Sequence, residues 1–568
     1  MLDKFLSGWG GFVGMCEHIK IFIYSKRANK MQETCVKRLM RKNKTTEYGK
    51  LHNFKDVKSI EDYQKIVPLS VYADYDDYVW RMADGEKGLI TNMYVRRFTE
   101  SSGSTGKQKL VPLSYWAEWV CQCFSFSAPV GCAVKWFAKQ GKTLPAQKGL
   151  LTAETGCRKV KGGTISCLSS IPLLNVKPIV SCFTTSPKEV LFPEPGVDMD
   201  MHYVKLLFAL RDSDISYLGT IFITTLESMF FYLEENWQML CDDIEKGSIN
   251  ESVRIPADIK ARLEKRLRPK KKRADFLRRE FEKGFDESPI VPRIWPKCGW
   301  MYGMGTGSLS HYQQRLRRYI GEDMPVHYCG YAATEALMAV PIEVNSYEYV
   351  MLPQNGFYEF LPLDAPEGTR PLTLGELKVG EKYEIIVTNF SGLYRYRILD
   401  IIKVTGMYNN SPRIAFLYRS NMGLNLANEK TTTDMLDFVA EAVEKEFGIN
   451  FKGYSFFSEN KSDKPHYVML VETESDLPVT KKAEMEAFID KAFNEANEKY
   501  EKYRSWGMIF EPELLQLKDH AYDDYKQTIV AEGRVLNQIK PVIVINTPER
   551  EEFFFSHIKE ESKSPLAR

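Results

Sequence analysis

Gly392-Leu393-Tyr394-Arg395-Tyr396-Arg397-Ile398-Leu399-Asp400 follows closely on Tyr383-Glu384-Ile385-Ile386-Val387-Thr388-Asn389, with Ser391-Gly392 between the two runs. The earlier run is β-branched and aromatic, as a strand prefers, and Ser391-Gly392 supplies a turn. The later run alternates tyrosine with arginine. Alternate residues of a strand share a side, so Arg395 and Arg397 are expected to point the same way. Two readings of the arginines stay open: a ligand contact, or a ladder of cross-strand salt bridges. Asp400 ends the run, where a carboxylate can accept both hydroxyls of a ribose.

Working outward toward the N-terminus, Gly330-Tyr331-Ala332-Ala333-Thr334-Glu335 follows a strand-like stretch at 325–328. A tyrosine can stack on a purine, a threonine can bond a phosphate, and a carboxylate can hold a Mg²⁺ ion that bridges phosphates. Glu335 could equally begin a helix, where acids are common. Further upstream lies Ser101-Ser102-Gly103-Ser104-Thr105-Gly106-Lys107-Gln108-Lys109. Small hydroxyl residues and glycines expose backbone N–H groups in a concave loop, a nest for phosphate oxygens to which lysines add charge. The spacing is not that of a Walker loop. A linker would have a similar composition, but strand-like segments at 94–98 and 110–113 flank this one closely.

Other segments carry structure. A helix is expected over 31–41, a turn at Thr46-Glu47-Tyr48-Gly49, and a helix around 75–82 stopped near Gly85. Between 220 and 245 the spacing of Leu226, Met229, Phe230, Leu233, Trp237 and Leu240 is helical and marks a core face. The basic stretch 265–273 is read as a solvated face, since no stacking aromatics alternate with its cations as a single-strand binder would require. Gly303-Met304-Gly305-Thr306-Gly307 lacks the third glycine of a dinucleotide fingerprint.

Composition shifts near Arg419 into a compact alternation of helices and strands. Thr433-Asp434 can cap a helix with the face Met435, Val439, Val443 and Phe447, stopped at Gly448. Strands are expected at 454–457 and 467–472, then a helix bearing Met485, Ile489, Phe493 and Ala496. A strand near 508–510, a short helix and the apolar run 541–545 close a unit of about 140 residues. Asn537-Gln538-Ile539-Lys540-Pro541 puts a lysine before that last run. It is a surface lysine unless the unit docks over the rest of the chain.

The 568 residues exceed one ordinary core, so one large domain and at least one smaller are expected. With 44% hydrophobic and 27% charged residues the chain is of globular type. A net charge of +2 provides no bulk attraction to nucleic acid. The 11 cysteines end at Cys329, and neither their number nor the close pair Cys121 and Cys123 suggests a disulfide scaffold or a zinc site. Free thiols fit a cytoplasmic location. The apolar segment 5–25 is broken by Glu17, His18, Lys20 and several glycines, so a surface or lid helix is expected rather than stable membrane insertion.

The order of motifs, from the hydroxyl/Gly loop through Tyr-x-x-Thr-Glu and Tyr-Arg-x-x-x-x-Asp to a late lysine, resembles the adenylate-forming superfamily of acyl-CoA ligases, peptide-synthetase adenylation domains and luciferases. Finer matches resemble the Gretchen Hagen family of acyl acid-amido synthetases. They include Thr46-Glu47-Tyr48-Gly49-Lys50-Leu51-His52, Val67-Pro68-Leu69-Ser70, Gly162-Gly163-Thr164, Trp295-Pro296, Thr306-Gly307-Ser308 and Gly392-Leu393-Tyr394-Arg395-Tyr396-Arg397. The resemblance runs nearly end to end. It implies an α/β fold: a large ATP- and acyl-acid-binding domain at 1–418, with β-sheets flanked by helices plus a small β-barrel. A hinge at 419–430 and a smaller mobile α+β lid domain at 431–568 would follow.

The resemblance also implies roles. Residues 101–109 would wrap the phosphates of ATP, with Ser101, Ser102, Gly103, Ser104, Thr105, Gly106, Lys107 and Lys109 in contact. Tyr331 and Ala332 would meet the adenine, Thr334 the α-phosphate, Glu335 the Mg²⁺ and Asp400 the ribose. Arg419 would sit at the hinge, Lys430 in the Glu-Lys pair beyond it, and Lys540 would swing onto the phosphates as a catalytic group. Two departures stand out. The family commonly has glycine where this chain has Leu399, and its late lysine is usually followed by residue-Pro-Arg, whereas Pro541 follows Lys540 directly. Lys526 is the competing lysine. The implied reaction joins a small-molecule carboxylic acid to an amine, with an amino acid as the expected acceptor, at the expense of ATP, in a monomer. An acyl-CoA ligase and a nucleotide-binding protein without turnover are the alternatives.

Overall fold

The computed structural model describes the chain except residues 1, 101–108, 120–126, 146–147, 167–170, 195–196, 305–309, 364, 367, 420–422, 427–428, 430, 463, 506–507, 532–540 and 563–568. The large part of the chain is built around three sheets. A parallel sheet takes Leu150–Leu151, Tyr217–Phe222, Trp300–Met304 and Val326–Tyr328 in that order. A second sheet pairs Val95–Glu100 antiparallel with Leu110–Ser114 and parallel with Gly163–Ser166. The third is an eight-stranded antiparallel sheet from Leu372–Thr373 at one edge to Tyr331–Ala333 at the other. This sheet stands where a small barrel is expected, and no pairing among the described residues closes it edge to edge.

The long helix Ile223–Lys246 shows why its face was legible. Leu226, Met229, Phe230, Leu233 and Leu240 are each 0% exposed, in one core with residues of all three sheets. Burying each such side chain is worth about 1.5–3 kcal/mol. Gly247 stops the helix in the left-handed region at φ +74°, as a C-terminal glycine does without steric cost. The strand Tyr217–Phe222 precedes it, so the first residues of the expected helical stretch are extended.

The chain beyond Arg419 forms a separate four-stranded sheet, ordered Glu513–Gln516, His466–Thr473, Phe451–Glu459, Val544–Ile545. Its period-2 alternation divides two cores. Tyr454, Phe456, Tyr467 and Met469 face the helices Thr433–Phe447 and Lys482–Ala496. Phe457, Val468 and Leu470 face Ala521–Ala531 and Pro548–Ser556. Gly448 again ends a helix in the left-handed region, at φ +64°. Arg315 of the large part reaches across to this unit: its Nε donates to Glu227 at 2.5 Å and its guanidinium also donates to the carbonyl of Phe451.

Several sequence expectations need correction. Thr46-Glu47-Tyr48-Gly49 is the start of the helix Glu47–Leu51, with the Thr46 hydroxyl capping the Gly49 N–H at 2.9 Å. The helix after residue 431 starts at Thr433, with Thr432 in the N-cap position but its hydroxyl turned to the Asp434 carboxylate, so no side chain caps it. The late strand lies at Glu513–Gln516 rather than 508–510, because Ile509 is buried as a plug in the helix-side core. In the basic stretch Arg273 is no solvated cation: it donates to the carbonyls of Leu210 (2.8 Å), Asp212 (3.3 Å) and Ile294 (3.0 Å). Among the described residues no helix is long and apolar enough to cross a membrane.

Candidate nucleotide site

The site is assembled from strand ends and turns. Tyr331–Ala333 and Ala336–Val340 form a β-hairpin in which Ala333 pairs with Ala336, so Thr334 and Glu335 are its two-residue tip. Glu335 therefore begins no helix. Both tip carbonyls are held from outside: the Thr99 hydroxyl donates to Thr334 O at 3.1 Å and Asn389 Nδ2 to Glu335 O at 2.9 Å. The main chain of the tip is thus fixed, and the Glu335 carboxyl also bonds its own backbone.

Thr99 lies one residue before Glu100, which pairs with Leu110 across the base of the loop 101–109. The loop's two ends are thus stapled together beside the hairpin tip. Lys109 lies over the Tyr72 ring, 5.4 Å from its centroid, and the Leu110 N–H donates to the Tyr72 hydroxyl at 2.9 Å. Burial pushes the Tyr72 phenol up to about 12. Ser101, Ser102, Gly103, Ser104, Thr105, Gly106 and Lys107 lie outside the described residues, as do Lys430, Lys540 and the Thr306-Gly307-Ser308 run.

Asp400 is 4% exposed and carries bonds on both oxygens: the Tyr331 hydroxyl donates to Oδ2 at 2.8 Å and Arg419 Nε to Oδ1 at 2.7 Å. A carboxylate has about four lone-pair positions, so this pairing leaves acceptor capacity for further hydroxyls. Two bulges bring Asp400 here. Three residues, Ile398 to Asp400, face Ile385 alone across one ladder, and the other ladder slips between Ile401 and Ile402. A bulge re-aims a side chain by bending its strand. Leu399 sits inside it at φ +64°. A left-handed conformation costs a non-glycine residue about 1–2 kcal/mol. Leucine thus adopts, at a cost, the backbone shape that glycine would take freely, and Asp400 is placed regardless.

Glu335 is half-buried, and burial holds its carboxyl above the ordinary glutamate range, with Arg419 and Lys109 pulling it down and Asp400 pushing it up. Glu335 also raises the Tyr396 phenol, though burial raises it more. At Arg419 burial opposes the charge, but Asp400 and Glu335 outweigh it and hold the guanidinium above its usual range. Tyr331, Glu335, Asp400, Arg419 and Lys109 therefore form one electrostatic unit. Ala332 points the other way and packs its methyl on the cluster of Leu337, Val340 and Val350. The Tyr331 ring lies 5.7 Å from Phe416 at 34°.

The arginines of the opening run do not share a side. Arg395 precedes the strand Tyr396–Tyr408, has φ +48°, and buries its guanidinium against Glu359 and the carbonyls of Gln64 and Val67. Arg397 instead forms a forked pair with Glu384 on the neighbouring strand, both bonds 2.7 Å. Tyr394 is buried as well: its hydroxyl donates to Ile90 O at 2.8 Å, and its ring stacks on Tyr48 at 5.4 Å. Salt-bridge and packing roles account for Tyr394, Arg395 and Arg397 of this run. A crevice of about 2020 Å³ lies below it, lined by Gln64, Arg370, Arg397, Glu429 and Lys499 among others. Of its arginines, Arg370 pairs with Glu376, Arg395 with Glu359 and Arg397 with Glu384, and neither Glu335 nor Asp400 lines it.

Sequence reasoning did not single out Thr99, Tyr72, Tyr396 or Asn389 for the site. Asn389 is the hub of the turn, accepting from the Ser391 and Leu393 N–H groups at 2.8 and 3.1 Å while its amide holds Glu335. Its place at a strand end before Ser-Gly was the available signal, since asparagine caps such turns with its side chain.

Three family models match the chain: the GH3 family N-terminal domain over residues 20–326, the central domain over 349–419 and the C-terminal domain over 434–549. The chain belongs to the GH3 family. Among curated GH3 relatives, a jasmonoyl–L-amino acid synthetase of Nicotiana attenuata is 26% identical over 540 residues, covering 91% of each chain. An indole-3-acetic acid-amido synthetase of Arabidopsis thaliana is 28% identical over 475 residues, covering 77% of each. A solved GH3.15 acyl acid amido synthetase superposes with a TM-score of 0.82 at 23% identity over 94% of both chains, so the GH3 fold is shared along the whole length.

Proposed function

We propose that this GH3 chain is a ligase that uses ATP to convert a carboxylic acid into an acyl-adenylate and then transfers the acyl group to the amine of an amino acid. The observation that carries the reading is the convergence of Tyr331, Glu335, Asp400, Arg419 and Lys109 beside the stapled ends of the loop 101–109. That residues proposed for base, sugar and phosphate come together from distant stretches of chain supports the reading.

A free carboxylate is a poor acyl donor because hydroxide is a poor leaving group. Attack of a carboxylate oxygen on the α-phosphorus of ATP forms a mixed anhydride and expels pyrophosphate. The amine then attacks the acyl carbon, loses a proton, and AMP departs. In this scheme residues 101–109 grip the phosphates, the Thr334 hydroxyl bonds the α-phosphate, and Asp400 accepts from the ribose while keeping its bond to Tyr331. Tyr331 offers its ring to the purine and Ala332 its main chain. The domain division at 1–418 and 431–568, with Arg419 at the hinge between, is supported by the separate hydrophobic cores on either side. Lys430 and Lys540 would act from the far side of that hinge.

Glu335 suits Mg²⁺. Among the described residues no cluster of three or more metal-ligating side chains exists, but Mg²⁺ on a nucleotide commonly takes one or two carboxylates and completes its shell with phosphate and water. Burial disfavours the charge of Glu335, which an arriving cation would relieve. When bound, the ion would screen the polyphosphate charge. Glu335→Gln is expected to raise the Mg²⁺ concentration that half-saturates ATP–pyrophosphate exchange by roughly tenfold or more, the usual cost of a lost charged contact. An unchanged requirement would assign the metal elsewhere.

The test of the whole reading is a matrix of carboxylic acids against amino acids, with coenzyme A as a competing acceptor, resolved by mass spectrometry. Amide products together with AMP are expected. Thioester products would make the chain an acyl-CoA ligase, and absence of acid-dependent pyrophosphate exchange across the panel would leave it a nucleotide-binding protein without turnover.

A further inference from the structure

The N-terminal helix Leu2–Ser25 is more than a cover. One face lies against the helix Ala128–Lys139 at backbone contact: a Cβ on Gly14 would come within 2.5 Å of Gly131 N, and one on Gly131 within 2.4 Å of Gly14 O. His18 is buried there between the Ala128 carbonyl and the Cys132 thiol, 3.1 Å from each. Glu17, the acid of this face, is buried and paired with Lys20 at 3.1 Å. The helix is therefore clamped in one rotation, and its other face is fixed outward.

That outward face is apolar. Ile19 is 57% exposed, Phe22 43% and Ile23 47%, with the exposed Cys16 one turn before and Phe12 beyond it. It runs on into Lys26, Arg27 and Lys30, all exposed. Lys26 Nζ sits 4.2 Å above the Phe22 ring, so the cation borders the apolar patch directly. No ion pair within 4 Å holds these three cations among the described residues; Glu33, the exposed acid that follows, feels Lys30 but is paired with Lys37 at 2.5 Å, and no exposed acid occurs between 11 and 30. The segment after Ser25 is also tied down: the Asn410 N–H donates to Ser25 O and its side-chain amide to Lys26 O.

We propose that this face is a peripheral docking surface for anionic phospholipid bilayers, with Ile19, Phe22 and Ile23 lying in the headgroup–acyl boundary and Lys26, Arg27 and Lys30 on the lipid phosphates. The argument is the joint pattern: an apolar stripe running into cations that no carboxylate pairs is what an interfacial helix presents. A protein partner or a second copy would need only the stripe, and a second copy would bring the same three cations toward each other across the contact. The helix lies on the bilayer and does not cross it.

The test is flotation of the full chain with vesicles of phosphatidylcholine containing 30% phosphatidylserine (about one lipid in three anionic), against pure phosphatidylcholine vesicles, at low and high salt. Binding to the anionic vesicles, weakened by salt, is expected. Each of Lys26→Gln, Arg27→Gln and Lys30→Gln is expected to reduce partitioning about fivefold. Ile19→Asp with Ile23→Asp is expected to abolish it while leaving the thermal midpoint and ATP–pyrophosphate exchange unchanged. Equal binding to neutral vesicles, no binding to either, or a concentration-dependent dimer in lipid-free solution that Ile19→Asp dissolves would each overturn the proposal.

Discussion

Arg395→Ala is expected to destabilise the large domain by about 3–5 kcal/mol, the usual consequence of leaving one partner of a buried ion pair behind. The Arg395 side chain is 5% exposed and that of Glu359 1%. Its Nε spans both Glu359 oxygens at 3.2 and 2.9 Å, and the same guanidinium donates to Gln64 O and Val67 O at 2.7 Å each. Truncation strands a buried carboxylate with only the Gln64 amide, at 2.9 Å, to answer it. Urea unfolding followed by tryptophan fluorescence suits the measurement, since eight of the nine tryptophans precede residue 419. Arg395→Lys is expected to recover only part of the loss, because an ammonium lacks the planar fork that reaches three acceptors at once. The paired change Arg395→Met with Glu359→Leu is expected to be milder than Arg395→Ala. A loss below 1 kcal/mol for Arg395→Ala would show that this run acts on a ligand and not on the scaffold.

Lys540→Ala is expected to slow acyl-adenylate formation by on the order of 10²–10³, as removal of a charge-stabilising group from a transition state does. Lys526→Ala is expected to leave it within about threefold, since it removes no such group. Lys526 Nζ is paired with Asp523 at 2.8 Å, and the groups of the large domain that feel its charge are His202 and Glu227. Glu335 instead feels Arg419, Asp400 and Lys109. Single-turnover measurement of adenylate isolates this step from amide formation. Reversal of the two outcomes would transfer the role to Lys526, and the thermal midpoint of both variants should be unchanged if the losses are chemical.

The amphipathic helices were legible before any coordinate because burial needs only local periodicity. Leu226 to Leu240 and Met435 to Phe447 recur at the spacing of one helical face, and Gly247 and Gly448 end those two helices by a backbone freedom visible in the letter itself. The strand shift from 508–510 to Glu513–Gln516 was not legible, because Ile509 is equally apolar whether it pairs in a sheet or plugs a helical core. The tyrosine–arginine alternation at 394–397 misled for a related reason. Its period is that of a strand, yet Arg395 stands at φ +48° ahead of the strand, where the period does not apply.

By itself the sequence determined the family and singled out Tyr331, Thr334, Glu335 and Asp400 as the residues proposed to meet a nucleotide, since composition, turn chemistry and motif order are properties of neighbours along the chain. Only the tertiary structure decided that Thr334 and Glu335 tip a hairpin clamped by Thr99 and Asn389, that Tyr331 and Arg419 meet on Asp400, and that Arg395 is buried in an ion pair with Glu359. Those decisions rest on side chains from remote stretches competing for the same buried acceptors. A bond between residues 69 or 235 positions apart leaves no mark on the periodicity of either segment.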